Sequence, residues 1–253
     1  MSGLIQQKHI LFVYRQAKQP MVRTFLEAER MYRPSTYMHS LRTALICDVF
    51  LSHLKYDPQA FMTRHIVTGA LLHDIGKLAI PADLLAKSGR LTHQEWQVIS
   101  SHPECGIKIL PDCFPVPVRD IISMHHEKPD GSGYPLGIKK IPDYVQIVTI
   151  VDMFEAMTSK RYYKSAYSDD QACELLLKDA KKGILSIELV NAFVSMRKAI
   201  VNLHSLDTKW SINLPYFRGI FLSLYQVTAK FKFLYCTYLI QSSRYCTHLI
   251  QSG

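Results

Sequence analysis

The sequence predicts an all-α protein, and two observations support this. From about residue 4 to 200, apolar residues recur at steps of three and four, as in "SLRTALICDVFLSHL" and "YVQIVTIVDMFEAMTS", which is the period of one helix face. No stretch alternates apolar and polar residues for long enough to indicate a half-buried β-strand. A helical bundle is therefore expected over most of the chain.

The expected helices follow one another with short connections. In chain order they are "VRTFLEAERMY", "SLRTALICDVFLSHL", "FMTRHIVTGALLHDIG", "THQEWQVISSH", "PECGIKIL", "VRDIISMHHE", "YVQIVTIVDMFEAMTS", "DDQACELLLKDAKK" and "SIELVNAFVSMRKAI". Ser35 is expected just before the second helix, and Pro103 in the first turn of "PECGIKIL" with His102 at its cap. Gly76 and Gly183 are expected to end the helices before them.

Three regions are predicted along the chain: an N-terminal helical extension (1–34), a main domain (35–204) and an atypical tail (205–253). The tail has few acidic residues, and its "YCTYLIQSSR" is followed directly by "YCTHLIQSG". Two copies are too few for a solenoid. The repeat is either a short duplicated DNA element read through or a packing or oligomerisation segment, and whether the tail folds stays open.

Composition narrows the class of protein. Of the 253 residues, 48% are hydrophobic and 20% charged, which is enough apolar surface for a substantial core. The net charge of +9 is spread along the chain, so it favours a phosphate-bearing ligand, or no particular partner, over a nucleic-acid polymer. The six cysteines form no CxxC pair, which indicates a reduced, cytoplasmic setting. Neither a signal peptide nor a membrane span is expected.

Seven residues of metal-ligand type stand out, although a lone histidine is more often an ordinary core or surface residue. They are His39, His73, Asp74, His102, His125, His126 and Asp152. Imidazole and carboxylate ligands without thiolate suit iron, manganese or zinc, and seven ligands exceed what one ion needs. Asp74 has two oxygens and can bridge two cations, while His65 could share the face of His73. Two ions together typically activate water for phosphoester hydrolysis.

Other residues could hold the substrate or shape the site. Lys77, Arg161 and Lys164 are candidate phosphate contacts, although each could equally be a solvated surface base. Adjacent residues of a helix diverge by about 100°, but Pro129 and the glycines after it stop the helix behind His125 and His126. Both histidines are therefore expected to bind the same metal ion, with Glu127 orienting one of them, and one histidine per metal stays open.

The motifs together resemble the HD-GYP subgroup of the HD-domain phosphohydrolases over roughly 35–196. "MHSLRTA", "LLHDIGKLAIP", "SHPECG", "HHEKPDGSGYP" and "VDMFEAMTSKRYYK" occur in family order. The resemblance implies an HD-domain helical bundle whose residues 35–204 form the catalytic domain, with a bimetal or trimetal centre of iron or manganese. It also implies hydrolysis of a cyclic dinucleotide, chiefly cyclic di-GMP to pGpG or GMP.

Carried over by position, the resemblance assigns roles to individual residues. His39, His73 and Asp152 would hold one metal, and His102, His125 and His126 the other, with Asp74 bridging and Lys77 helping to protonate the leaving oxygen. Substrate would contact the following residues: Lys77, Arg161, Lys164, Gly131, Gly133, Tyr134 and Pro135. Relatives with a third metal carry glutamate where Ser35 stands, so two divalent ions are expected. Tyr162 replaces a frequent proline, which we expect to be minor.

Two other functions fit parts of the pattern. The protein could be a catalytically weak binding or scaffold protein, because the family's GYP loop is associated with contacts to diguanylate cyclase domains. A generic HD phosphohydrolase acting on nucleotides would need only His39, His73, Asp74 and Asp152, and the additional histidines argue against it. Because only about 35 residues precede the first motif, regulation through an attached receiver domain is not expected. Selectivity between cyclic di-GMP and mixed GMP-AMP dinucleotides stays open.

Overall fold

Eleven α-helices and one 3-10 helix make up the regular structure of the residues that the structure, a computed structural model, describes: 2–159 and 166–196. The helices are α1 (Ser2–Ala17), α2 (Pro20–Tyr32), α3 (Pro34–His53), α4 (Phe61–Leu72), the 3-10 helix (Ile75–Ala79), α5 (Ala82–Ala86), α6 (His93–Ser100), α7 (His102–Ile109), α8 (Val116–Met124), α9 (Asp143–Thr158), α10 (Asp169–Lys181) and α11 (Ile187–Ser195). This confirms the all-α prediction. The predicted tail lies outside the described residues.

Four helices enclose the centre of the core. α3 packs along α4, α8 packs on α4, and α9 packs on both α3 and α8. Gly69 of α4 allows the close approach of α8, because a Cβ there would lie 2.5 Å from Cδ1 of Ile121. On the other side, the ring of Phe193 in α11 contacts the rings of Phe50 and Phe154 at 5.2 and 5.1 Å. These fully buried side chains fix the relative positions of the helices that carry the candidate ligands.

The N-terminal helices pack against the same core. α1 and α2 both contact α3 and α4, and α2 also contacts the 3-10 helix. His9 of α1 pairs with Asp48 of α3 at 2.6 Å, and both side chains are buried. Because residues 1–199 form one compact unit, the predicted boundary between 34 and 35 stays a prediction. No helix in the described part of the chain is long and apolar enough to cross a bilayer.

Several predicted helix boundaries are shifted. α3 begins at Pro34, one residue before Ser35, because the fixed φ of proline suits a first helical turn. α7 begins at His102 itself, with Ser101 at the cap. Gly183, with φ of +77°, follows α10 as predicted. Gly76 does not end α4, which stops at Leu72.

Gly76 serves close packing instead. A Cβ at this position would lie 1.8 Å from the main-chain oxygen of His102 and 2.5 Å from the amide nitrogen of Gly106. Only a residue without a side chain therefore lets the 3-10 helix lie directly against α7. That contact brings the end of α4 next to the start of α7, where three of the predicted ligands stand: His73, Asp74 and His102.

Candidate metal centre

The seven predicted ligands come together in two groups. His39 lies within α3 and Asp152 within α9, whereas His73, His102 and His125 stand at helix ends. The first group contains His39, His73 and Asp152, and the second contains Asp74, His102, His125 and His126. Within each group, one ligand atom per residue lies within 4.8 Å of all the others.

Asp74 faces both groups with its two carboxylate oxygens. Oδ2 lies 3.7 Å from Nε2 of His39 and 3.6 Å from Nε2 of His73. Oδ1 lies 3.3 Å from Nε2 of His102 and 3.8 Å from Nε2 of His125. Oδ1 is also buried and makes no hydrogen bond of normal geometry to any described residue. A buried carboxylate oxygen is rarely left unpaired, so this atom is suited to accept a cation.

The histidines present their Nε2 atoms toward one another. Three rings contact a main-chain carbonyl one turn earlier through Nδ1: His73 contacts Ala70 (2.8 Å), His102 contacts Ile99 (2.8 Å) and His125 contacts Ile121 (3.1 Å). A carbonyl only accepts, so Nδ1 carries the proton and Nε2 of a neutral ring carries a lone pair. Nε2 of His73 lies 3.2 Å from Nε2 of His39, and Nε2 of His102 lies 3.2 Å from Nε2 of His125. Between His102 and His125 the two Nε2 lone pairs face each other and repel, and a cation beside them would remove the repulsion.

These observations fit a divalent metal centre. Each group combines imidazole nitrogens with carboxylate oxygen, without thiolate, which is the ligand set of first-row divalent ions. The number and identity of the ions stay predictions.

The electrostatics of the site hold some of the ligands, such as Asp74 and His126, in states suited to cation binding. Burial lowers the pKa of His126 to about 3, so its imidazole is neutral. Burial acts to raise the pKa of Asp74, but the charges of Lys77 and His73 outweigh it and hold that pKa well below its usual range. Metal ligands must be deprotonated. His39 and His73 differ in the metal-free protein. The Glu155 carboxylate overcomes burial and raises the pKa of His39 to about 10, and the charge of Asp74 overcomes burial and raises the pKa of His73.

Glu155 is a positioning residue that the sequence reading missed. Its buried carboxylate accepts a hydrogen bond from Nδ1 of His39 and pairs with Nε of Arg42. A carboxylate on the second ring nitrogen fixes the tautomer and orientation of a metal-binding histidine. The signal was present, since Glu155 follows Asp152 by three residues on α9 and therefore shares its helix face.

Glu29 is a second buried carboxyl group that the sequence reading missed. It lies on the apolar face of α2 with Val22, Phe25 and Leu26, and its side chain is 2% exposed. Both of its oxygens lack a hydrogen bond of normal geometry to any described residue. Burial raises the pKa of Glu29 to about 7, and the negative charge of Asp74 is the second largest cause.

Glu127 does not orient a histidine as predicted. Its buried carboxylate accepts hydrogen bonds from the amide nitrogens of Leu136 at 2.7 Å and Ile138 at 3.0 Å. Both carboxylate oxygens are thus engaged by the turn, and Nδ1 of His125 already meets a main-chain carbonyl. A Cβ on Gly133 would lie 2.5 Å from the Cα of Glu127. Glu127 and this glycine therefore hold the "DGSGYP" turn against the end of α8.

The adjacent histidines both belong to the second group. α8 ends at Met124, and the rings of His125 and His126 lie 4.0 Å apart at 45°. Their ligand atoms approach those of Asp74 and His102 together. Tyr134 stacks on His126 at 4.5 Å and 25°, so the turn borders the second group.

Some of the other residues predicted at the site lie beside the ligand groups, and others lie elsewhere or outside the described residues. Nζ of Lys77 lies 2.5 Å from Oδ2 of Asp74. Gly131, with φ of +85°, and Pro135 lie in the same turn as Tyr134. His65 lies beside Phe61 and belongs to neither ligand group. The predicted phosphate contacts Arg161 and Lys164 lie outside the described residues.

Known proteins are similar in sequence to this chain. The HD domain family profile matches residues 26–185. A 3′3′-cGAMP-specific phosphodiesterase 2 of Vibrio cholerae is 36% identical over 174 residues, covering 67% of this chain and 33% of that relative. A cyclic di-GMP phosphodiesterase of Thermotoga maritima is 36% identical over 151 residues, covering 58% of this chain and 40% of that relative. The chain therefore spans only 33% to 40% of the length of these two relatives.

Two solved structures share the fold. The HD domain of the L. monocytogenes phosphodiesterase PgpH aligns with a TM-score of 0.55 at 20% identity, covering 75% of this chain and 99% of that one. Bd1817, an HDG"Y"P protein from Bdellovibrio bacteriovorus, aligns with a TM-score of 0.54 at 18% identity, covering 78% and 71%. The chain belongs to the HD domain family, within the HD-GYP group that the order of its motifs indicates.

Proposed function

We propose that the protein is a metal-dependent phosphodiesterase that hydrolyses a cyclic dinucleotide, with cyclic di-GMP as substrate and pGpG or GMP as product. The observation that carries the proposal is the position of Asp74, whose two oxygens face the two separate ligand groups. One carboxylate between two groups is the arrangement that a bimetal phosphohydrolase requires. The named relatives that act on cyclic dinucleotides support the choice of substrate class.

Two divalent ions held by these groups would activate water near neutral pH and neutralise the phosphate charge. Water adds to phosphorus, the bond from phosphorus to the ribose 3′ oxygen breaks, and that oxygen takes up a proton. Lys77 supplies this proton and also binds the phosphate, because its ammonium group already lies beside Asp74. Arg161 and Lys164 complete the phosphate contacts, and Gly131, Gly133, Tyr134 and Pro135 line the substrate side of the turn.

The test is hydrolysis of cyclic di-GMP by purified protein loaded anaerobically with iron or with manganese. We expect turnover with at least one of them, about two ions per chain, and no turnover in an Asp74→Asn control. A parallel assay with 3′3′-cGAMP measures the selectivity. Micromolar binding without turnover under both metals would refute the enzyme and favour a binding or scaffold protein.

Metal content also tests the ligand assignment. His39, His73 and Asp152 hold the first ion in this proposal, and His102, His125 and His126 hold the second. His125→Ala and His126→Ala should each lose the same single ion, because both rings lie in the second group. Loss of different ions from the two variants would show that each histidine serves its own metal. A reproducible third ion would contradict the prediction made from Ser35.

Two further parts of the proposal concern the setting of the protein. The turn at 131–135 is also the predicted contact with diguanylate cyclase domains, which a binding assay with a purified cyclase domain would test. Action in the cytoplasm is part of the proposal, and the absence of any CxxC pair among the six cysteines of the sequence supports it.

A further inference from the structure

Trp96 extends a row of rings outward from the second ligand group. Tyr134 stacks on His126 at 4.5 Å, and Trp96 meets Tyr134 edge to face at 5.4 Å and 74°. The side chain of Trp96 is 45% exposed, whereas His126 is largely covered. Tyr134 thus lies between the rings of His126 and Trp96, and Trp96 is the outermost ring of the row.

The start of α6 holds Trp96 in a defined position. Thr92 accepts a hydrogen bond from the amide of Glu95 at 3.2 Å, and the Glu95 carboxylate accepts one from the amide of Thr92 at 2.7 Å. This reciprocal capping box stabilises the first helical turn. Nζ of Lys87 lies 2.6 Å from both carboxylate oxygens of Glu95. The residue next to Glu95 is Trp96, so its backbone is fixed while half of its ring faces solvent.

We propose that Trp96 is a positioning residue for the reaction, on which one purine base of the cyclic dinucleotide stacks. The inference rests on the proposed function, because it needs the reacting phosphate to lie at the two ligand groups. The base is joined to that phosphate through a ribose and must lie outside the ligand groups, which is where the row of rings leads. An exposed indole offers any purine a face for stacking without reading its hydrogen-bonding edge.

Kinetics of the metal-loaded full chain test the proposal through the variants Trp96→Leu and Trp96→Phe. Loss of one base–aromatic stack should raise KM for cyclic di-GMP roughly 5- to 150-fold. The kcat and the metal content should stay unchanged, because Trp96 belongs to neither ligand group. Trp96→Phe should restore most of the affinity.

A matched control is available in Phe61→Leu. Phe61 is also an exposed aromatic residue, 74% accessible, but it lies at the start of α4 beside Arg64 and His65. We expect no change in KM from this variant. A KM for Trp96→Leu within twofold of the wild type, or an equal change in Phe61→Leu, would overturn the inference.

Tryptophan fluorescence separates this inference from the proposed function. The chain contains two tryptophans, Trp96 and Trp210, so Trp210→Phe leaves Trp96 as the only indole emitter. Stopped-flow mixing with cyclic di-GMP should quench that emission before turnover. Quenching without any turnover would refute the proposed function and keep the base contact, whereas turnover without quenching would refute the base contact alone.

Discussion

Replacement of Glu29 by glutamine should change how the stability of the metal-free protein depends on pH. The wild-type side chain is 2% exposed, and burial raises its pKa from 4.5 to about 7. The folded protein therefore keeps a proton on Glu29 in a pH range where the unfolded chain has released it. The stabilisation that this proton provides is complete below pH 4.5 and is lost as the pH rises through 7. Glutamine cannot ionise, so the variant should lack this loss.

The expected magnitude follows from the pKa. Each unit by which the pKa of the folded state exceeds that of the unfolded state corresponds to about 1.4 kcal/mol. The complete effect of Glu29 on the free energy of unfolding is therefore about 3 kcal/mol. Between pH 5 and pH 8 the wild type should lose about 2 to 3 kcal/mol of its free energy of unfolding relative to Glu29→Gln. The buried amide of the variant also lacks partners, but that penalty is independent of pH and cancels in the comparison.

Urea unfolding at pH 5 and pH 8, after treatment with a chelator, measures this difference. Glu104→Gln is the matched control, because it removes an exposed carboxylate on α7 and should change the pH dependence by less than about 0.5 kcal/mol. Equal losses between pH 5 and pH 8 in the wild type and in Glu29→Gln would refute the reasoning from burial.

Three further substitutions test the site. Asp74→Asn should lose both ions by elemental analysis, because one carboxylate faces both ligand groups; retention of one full ion per chain would contradict this. Glu155→Gln should weaken the ion next to His39 by about 10- to 100-fold in chelator competition and leave the other ion unchanged. Equal weakening of both ions would show that Glu155 acts on the whole fold. Glu127→Gln leaves only one oxygen to accept from the two amides of the turn, which should lower the free energy of unfolding in urea by about 1 to 3 kcal/mol with unchanged metal content. Loss of metal in that variant would restore Glu127 as the partner of a histidine.

Local patterns predicted the helices well and their ends less well. Apolar periodicity depends on residues a few positions apart, so it identifies α3, α4 and α9 from sequence. Gly76 was misread as a helix terminator because its neighbour across space, the main-chain oxygen of His102, is 26 residues away and invisible to a local pattern. Glu127 was misread for the same reason, since the amides that it binds become available only when the turn folds back.

The sequence by itself determined which side chains can bind metal, and the order of its motifs indicated the HD-GYP group. The tertiary structure decided how those side chains divide, with Asp74 between two groups and Glu155 behind His39. The candidate ligands extend from His39 to Asp152 and lie on or beside five different helices. Which atoms approach within a few ångströms depends on how those helices pack, and packing is a property of the whole core rather than of any motif.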